Sequence, residues 1–306
     1  MGTITAHRLI TAAIVLLGVS SITFILLHLV PGDPVEVMLG ESASIADRAH
    51  LRAELGLDAP LIDQWLEFHR GLMTFDFGVS LYSKKPISAV VAERIPWTFV
   101  LALASLGIAI LIAIPLGVVA ALRPNTIWDS IAATISLLGV SIPNFLLGPL
   151  LIIVFSIGFG WFPVSGADRP VSIILPAVTL GASLAAILSR MVRASLLEVL
   201  AEEYIVSARA RGLSAVAIVG HHAMRNAALP VLTVIGLQLG ALLGGAVITE
   251  MIFAWPGIGQ LTIEAIQRRD YPLVQACVLV ISVAYVVVNT LTDLIYARID
   301  PKIGVE

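Results

Sequence analysis

Six apolar runs punctuate the chain, at 9–30, 97–122, 131–159, 173–192, 231–253 and 273–297, and the only charged residues inside them are Arg190, Glu250 and Asp293. A helix rises 1.5 Å per residue, so about 20 residues cross a hydrocarbon layer of roughly 30 Å. Each run reaches that length, and the pattern predicts an all-α membrane protein with six transmembrane helices. The long stretch 31–95 between the first two runs is also helical in pattern. Leu51 and Leu55 stand four apart before Gly56, a C-terminal stop. Over 61–73, Ile62, Trp65, Leu66, Leu72 and Met73 gather near one face, with Asp63, Glu67 and Arg70 largely off it. This predicts a helical segment packed on a membrane face or docking an external partner.

Composition agrees with the pattern. The 306 residues are 58% hydrophobic and 13% charged, against roughly 45–50% and 25% in an average soluble domain. The mean hydropathy is +0.98, which argues against a soluble enzyme. A net charge of −3 leaves no basic excess for nucleic acid. The first run ends at Pro31-Gly32 without a small-x-small cleavage site and reads as a retained anchor. A lone cysteine, Cys277, excludes an internal disulfide framework.

Orientation follows from the basic residues in short connections. With the N-terminus inside, Arg8, Arg123, Arg190, Arg193, Arg209, Arg211, Arg225, Arg298 and Lys302 fall on the cytoplasmic side, and only Arg169, Arg268 and Arg269 on short outer connections. Both termini are therefore expected in the cytoplasm, with 31–95 extracytoplasmic. The organisation expected is an N-terminal transmembrane helix at 1–30, the extracytoplasmic helical segment 31–95, a five-helix core at 96–298 with a cytoplasmic loop at 193–230, and a tail at 299–306.

Candidate chemistry is sparse. There is no Gly-x-x-x-x-Gly-Lys-Ser/Thr phosphate loop, and the lysines are Lys84, Lys85 and Lys302 alone. The six histidines lack metal-ligand spacing, and Ser165-Gly166 is not the Gly-x-Ser-x-Gly pattern of a serine hydrolase. No catalytic residue and no metal site is expected. The fifth run carries Gly236, Gly240 and Gly244 every four residues, a ridge that lets another helix approach closely. Gln238, Gly245 and Thr249 fall about 160° from its centre at 100° per residue. That polar stripe reads as the lining of a substrate path or as an internal hydrogen bond. In the third run Pro143, flanked by Ser141 and Asn144, reads as a kink or a gate.

The loop 193–230 contains Glu202-Glu203-Tyr204-Ile205-Val206-Ser207-Ala208-Arg209-Ala210-Arg211-Gly212-Leu213. Acids first, arginines last and a terminal glycine suit a short helix lying outside the membrane, followed by a second helix into Pro230. Pro31-Gly32-Asp33-Pro34, Leu55-Gly56-Leu57-Asp58, Asp76-Phe77-Gly78, Leu137 to Pro143, Trp161 to Gly166, Thr249 to Gly259 and Asp270-Tyr271-Pro272 follow in order along the chain. Together these residues resemble the membrane permease subunits of binding-protein-dependent ATP-binding-cassette importers, in the dipeptide, oligopeptide and nickel branch. Val206 and Ser207 stand where the family's cytoplasmic signature has a glutamate and its first alanine, while Ala208 and Gly212 match.

The resemblance implies a type I importer permease fold and a non-catalytic subunit in the plasma (inner) membrane of a bacterium. It implies a homologous second permease, two ATPase subunits that carry the ATP and magnesium, and an extracytoplasmic peptide-binding protein. It assigns the contact with the ATPase to the loop around Glu203, Ala208, Arg209, Arg211 and Gly212. Ala208 is expected to sit deepest in the partner, with Arg209 beside it. The implied cargo is a short peptide, with nickel or glutathione as alternatives. A self-sufficient ion-coupled transporter is the reading from another class, and it would be expected to show paired repeats and an acid near the midplane.

Overall fold

The computed structural model describes residues 2–29, 35, 39, 44–54 and 56–299. Among the described residues the chain is helical apart from turns and one antiparallel bridge, Val79 to Pro86. The helices are α1 (Gly2–Leu29), α2 (Ile45–Glu54), α3 (Leu61–Met73), α4 (Ile87–Leu122), α5 (Ile127–Ser141), α6 (Asn144–Leu151), α7 (Ile174–Leu200), α8 (Glu203–Ala210), α9 (Met224–Ile252), α10 (Ile258–Gln267) and α11 (Tyr271–Ile299). A π-helical stretch, Ile152–Gly158, continues α6, and another, Ile218–Ala223, leads into α9. The motif Pro31 to Pro34 lies outside the described residues.

Three helical stretches among the described residues are long and apolar enough to cross a membrane: Ile87–Leu122, Pro170–Leu200 and Tyr271–Thr292. A fourth forms if Ile127–Ser141 and Asn144–Gly158, bent by 104°, make one span. The kink expected at Pro143 within 131–159 is thus present, as a full break between two helices. Pro143 cannot donate an N–H and disfavours a helical residue before it, and Ile142 adopts φ −88°, ψ 113°. The first and fifth runs lie on α1 and α9. Helix α9 starts at Met224 and runs through Pro230, which the sequence reading had placed at a helix end.

The chain divides into two compact units, residues 1–98 with 256–286, and 99–255 with 287–306. In the first, Ile87, Val91, Ile258, Leu261, Ala265, Leu273, Val274 and Cys277 form a buried cluster. Asp270 is fully buried where α11 begins. Its carboxylate accepts from Ser80 Oγ at 2.5 Å, Tyr82 N at 3.3 Å and Leu273 N at 3.4 Å. The Arg268 guanidinium lies 4.1 Å from the Tyr82 ring centroid. Asp270 therefore caps the helix and holds the 80–85 turn with one side chain.

Helix α3 meets α1 through polar and aromatic groups. Trp65 Nε1 donates to Ser21 Oγ at 3.1 Å, His69 Nε2 pairs with Ser20 Oγ at 2.9 Å, and Phe68 lies 5.6 Å from Phe24 between ring centroids. Ile62, Leu66 and Met73 of the apolar face stay exposed within this chain. Hydroxyls on α1 attract the Trp65/His69 side of the helix, and the aliphatic residues turn away from it.

In the second unit α7 is the central helix, packed chiefly on α9 and α5, with Leu180, Leu184, Leu188, Val192 and Leu196 buried. Apolar burial gives little drive for helix association in lipid, so close backbone packing must supply it. The glycines show where that occurs. A Cβ on Gly117 would fall 2.6 Å from Ser189 O, one on Gly181 2.8 Å from Ser105 O, and one on Gly139 2.9 Å from Ala186 Cβ.

Candidate functional site

Helix α8 is an eight-residue helix that starts after extended Glu202 and ends before Gly212. Ile205 and Ala208, three apart, are 0% and 1% exposed and pack with Ala121, Leu196, Ile218, Ala223 and Ala227. Tyr204 Oη accepts from Asn226 Nδ2 at 2.7 Å, tying α8 to the first turn of α9. The residues opposite the buried pair at 100° per residue are Glu203, Val206, Ser207 and Ala210, and all four are exposed. Arg209 and Arg211 are also exposed and flank that face on opposite sides. Gly212 closes the helix at φ +81°, the left-handed conformation a C-terminal glycine permits.

One expectation is corrected here. Ala208 does not project toward a partner, because it belongs to this chain's own cluster. The outward positions are Val206 and Ser207, the two that depart from the family signature. The helix stands on Ile205 and Ala208 and offers its other side.

An ion pair that the sequence reading missed braces the same end of the unit. Arg193 Nε and Nη2 donate to Asp129 Oδ1 and Oδ2 at 2.6 and 2.7 Å, and Asn125 N donates to Oδ2 at 3.0 Å. Two turns further along α5 and one further back along α7, Ser136 Oγ and Ser189 Oγ are 2.8 Å apart. The forked geometry fixes the N-terminus of α5 against α7. Its sequence signal was an acid in the first helical turn across from an arginine counted only for orientation.

The polar stripe separates into parts. Asn144 and Gln238 line one cavity of about 140 Å³ with Ser183, Leu180, Leu184, Ile187 and Leu242. Ser141 is exposed and is not among the cavity's lining residues. Thr249 is fully buried, and its hydroxyl has no hydrogen-bond partner among the described residues, so it faces no open path within this unit. The surroundings of Gly245, like the side chain of Asp293, lie outside the described residues. Of the glycine ridge, Gly236 packs closest: a Cβ there would fall 1.9 Å from Thr292 Cγ2. Gly240 is buried. Gly244 is exposed with nothing within 4 Å of an added Cβ, and so does not share in that packing among the described residues.

Two motifs that were separate in sequence meet. Gly166 N, at φ +88°, donates to Phe253 O at 2.8 Å, and Trp255 N donates to Glu250 O at 2.8 Å. Phe253, Trp255 and Glu250 are buried.

Comparisons with known proteins cover nearly the whole chain. Residues 113–305 match the family model described as binding-protein-dependent transport system inner membrane component, and residues 1–102 match the model of the N-terminal part of such membrane components. The chain is 41% identical over 296 residues, 97% of each chain, to the glutathione transport system permease protein GsiC of Pectobacterium atrosepticum. It is 40% identical over 285 residues, 93% of each, to the protein of the same name from Escherichia coli strain K12. Among solved structures, an inward-facing MetNI methionine ABC transporter chain aligns with a TM-score of 0.59 at 18% identity, covering 69% of this chain and 96% of that one. A chain of an amino acid ABC transporter with histidines aligns at 0.54 and 15% identity, covering 69% and 94%. At those identities the two structures speak for the fold alone.

Proposed function

Because the chain belongs to the family of binding-protein-dependent transport system inner membrane components, we propose that it is the non-catalytic permease subunit of an ATP-driven importer of short peptides, with the tripeptide glutathione the first cargo to test. It forms half of the pathway with a homologous second permease, receives cargo from an extracytoplasmic binding protein, and is driven by two ATPase subunits. Six spans with both termini in the cytoplasm complete the reading. The observation that carries it is α8: a short helix outside the apolar runs, anchored by Ile205 and Ala208 and exposed on its opposite face. The 40–41% identity to glutathione permeases over nearly the whole chain supports the choice of cargo.

A crosslinker tests the contact. In a Cys277→Ala background, a benzophenone attached at Val206→Cys is expected to capture the ATPase subunit on illumination, and one at Ala208→Cys is expected not to. Capture from 208 and not from 206 contradicts the orientation of the helix.

Labelling tests the topology. Ser83 and Ser214 are both exposed. Their cysteine variants, again lacking Cys277, are expected to differ on intact cells, with Ser83→Cys reacting with an impermeant maleimide and Ser214→Cys protected. The reverse pattern inverts the topology.

A further inference from the structure

Asn144 stands at the start of α6, Ser183 on α7 and Gln238 on α9, and one small cavity receives all three. The rest of its lining is leucine and isoleucine. Neither carboxamide has a hydrogen-bond partner among the described residues, and both side chains are half-buried. Polar side chains within spanning helices are costly unless they meet partners or a cavity. Here three helices bring theirs to the same place.

Carboxamides carry both donors and acceptors, and a hydroxyl carries one donor with two lone pairs. The set holds no formal charge. It complements a group that is itself neutral and two-sided, which is the description of a peptide amide. A cavity of about 140 Å³ holds only a few waters at about 30 Å³ each, the scale of one peptide unit with its flanking carbons. Nickel is better served by imidazole than by neutral amide oxygens.

We propose that Asn144, Ser183 and Gln238 form a selectivity niche that pairs with a backbone amide of the cargo during passage. This deepens the permease reading and rests on it. The niche rewards an amide and leaves its two carboxamides unpaired against a cargo lacking one, the arrangement that discriminates most strongly.

The test uses the complete complex in lipid nanodiscs. The probes are glutathione and alanyl-alanine, each compared with a depsipeptide in which an ester oxygen replaces an amide N–H. Wild type is expected to bind at least one amide probe about tenfold more tightly than its ester. In Gln238→Leu and Asn144→Leu that ratio is expected to fall to near one. Gln238→Asn, which keeps the carboxamide, is expected to recover part of it. A ratio that stays at the wild-type value in both leucine variants overturns the niche, as does a wild-type complex that binds neither amide probe or shows no preference over the ester. Uptake by the same complexes separates the two ideas. Normal ATP-dependent uptake of an amide probe with an unchanged ratio sinks the niche alone, whereas absence of any ATP-dependent uptake by wild type sinks the permease reading itself.

Discussion

Valine at position 212 will abolish cargo-stimulated ATP hydrolysis and uptake while leaving the membrane subunits folded and assembled. Gly212 holds φ +81°, and a side chain in the left-handed region costs roughly 1–2 kcal/mol, with β-branched residues the worst tolerated. No described residue lies within 4 Å of an added Cβ, so the effect comes from conformation and not from collision. The chain relieves the strain by changing the turn after α8, and the exposed face of Glu203, Val206, Ser207 and Ala210 then leaves its alignment. Asparagine visits the left-handed region more readily, so Gly212→Asn is expected to retain most of the uptake. The measurement is ATPase activity with and without binding protein and cargo, paired with uptake, in lipid. Uptake at the wild-type rate in Gly212→Val, with the ATPase subunits bound, removes the coupling role from this loop.

Leucine at position 236 will disrupt the membrane unit, whereas leucine at 244 will not. The Cβ alone would fall 1.9 Å from Thr292 Cγ2 and 2.8 Å from its Oγ1, well inside contact distance. Overpacking typically costs about 1–3 kcal/mol, and a rigid helix pair leaves little room to relax. Gly236→Leu is expected to lower the yield of assembled complex several-fold and to lower its thermal midpoint. Gly244→Leu meets nothing within 4 Å of its Cβ among the described residues. Equal loss from both variants would show that the second position packs on another subunit, and no loss from Gly236→Leu would contradict the α9 to α11 packing.

These two positions also show what a sequence discloses in a membrane. Spacing identified the ridge Gly236, Gly240 and Gly244, since a four-residue period needs no partner to be seen. Which of its members touches another helix is a property of the partner's surface. The close approaches at Gly117, Gly139 and Gly181 carried no such period and went unnoticed. Lipid tails are as apolar as leucine, so hydrophobicity marks a span without marking its buried side: Leu101 is fully buried while Leu111 is 74% exposed on the same helix. Local backbone chemistry was easier to read. Gly56 and Gly212 stop helices at φ +66° and +81°, and Pro143 breaks one, because glycine and proline act through their own dihedrals. The direction of Ala208 was harder to read, since a match to a signature does not say what that side of the helix meets. The Asp129–Arg193 pair joins residues 64 apart in sequence, beyond any local pattern.

The most direct test of the central claim is uptake of labelled glutathione into liposomes, comparing this chain alone with the complex of both permeases and ATPase subunits, binding protein supplied. The account predicts accumulation only in the complex, only with ATP and magnesium on the ATPase side, and only with binding protein on the other. Accumulation by this chain alone, without ATPase subunits, would contradict it.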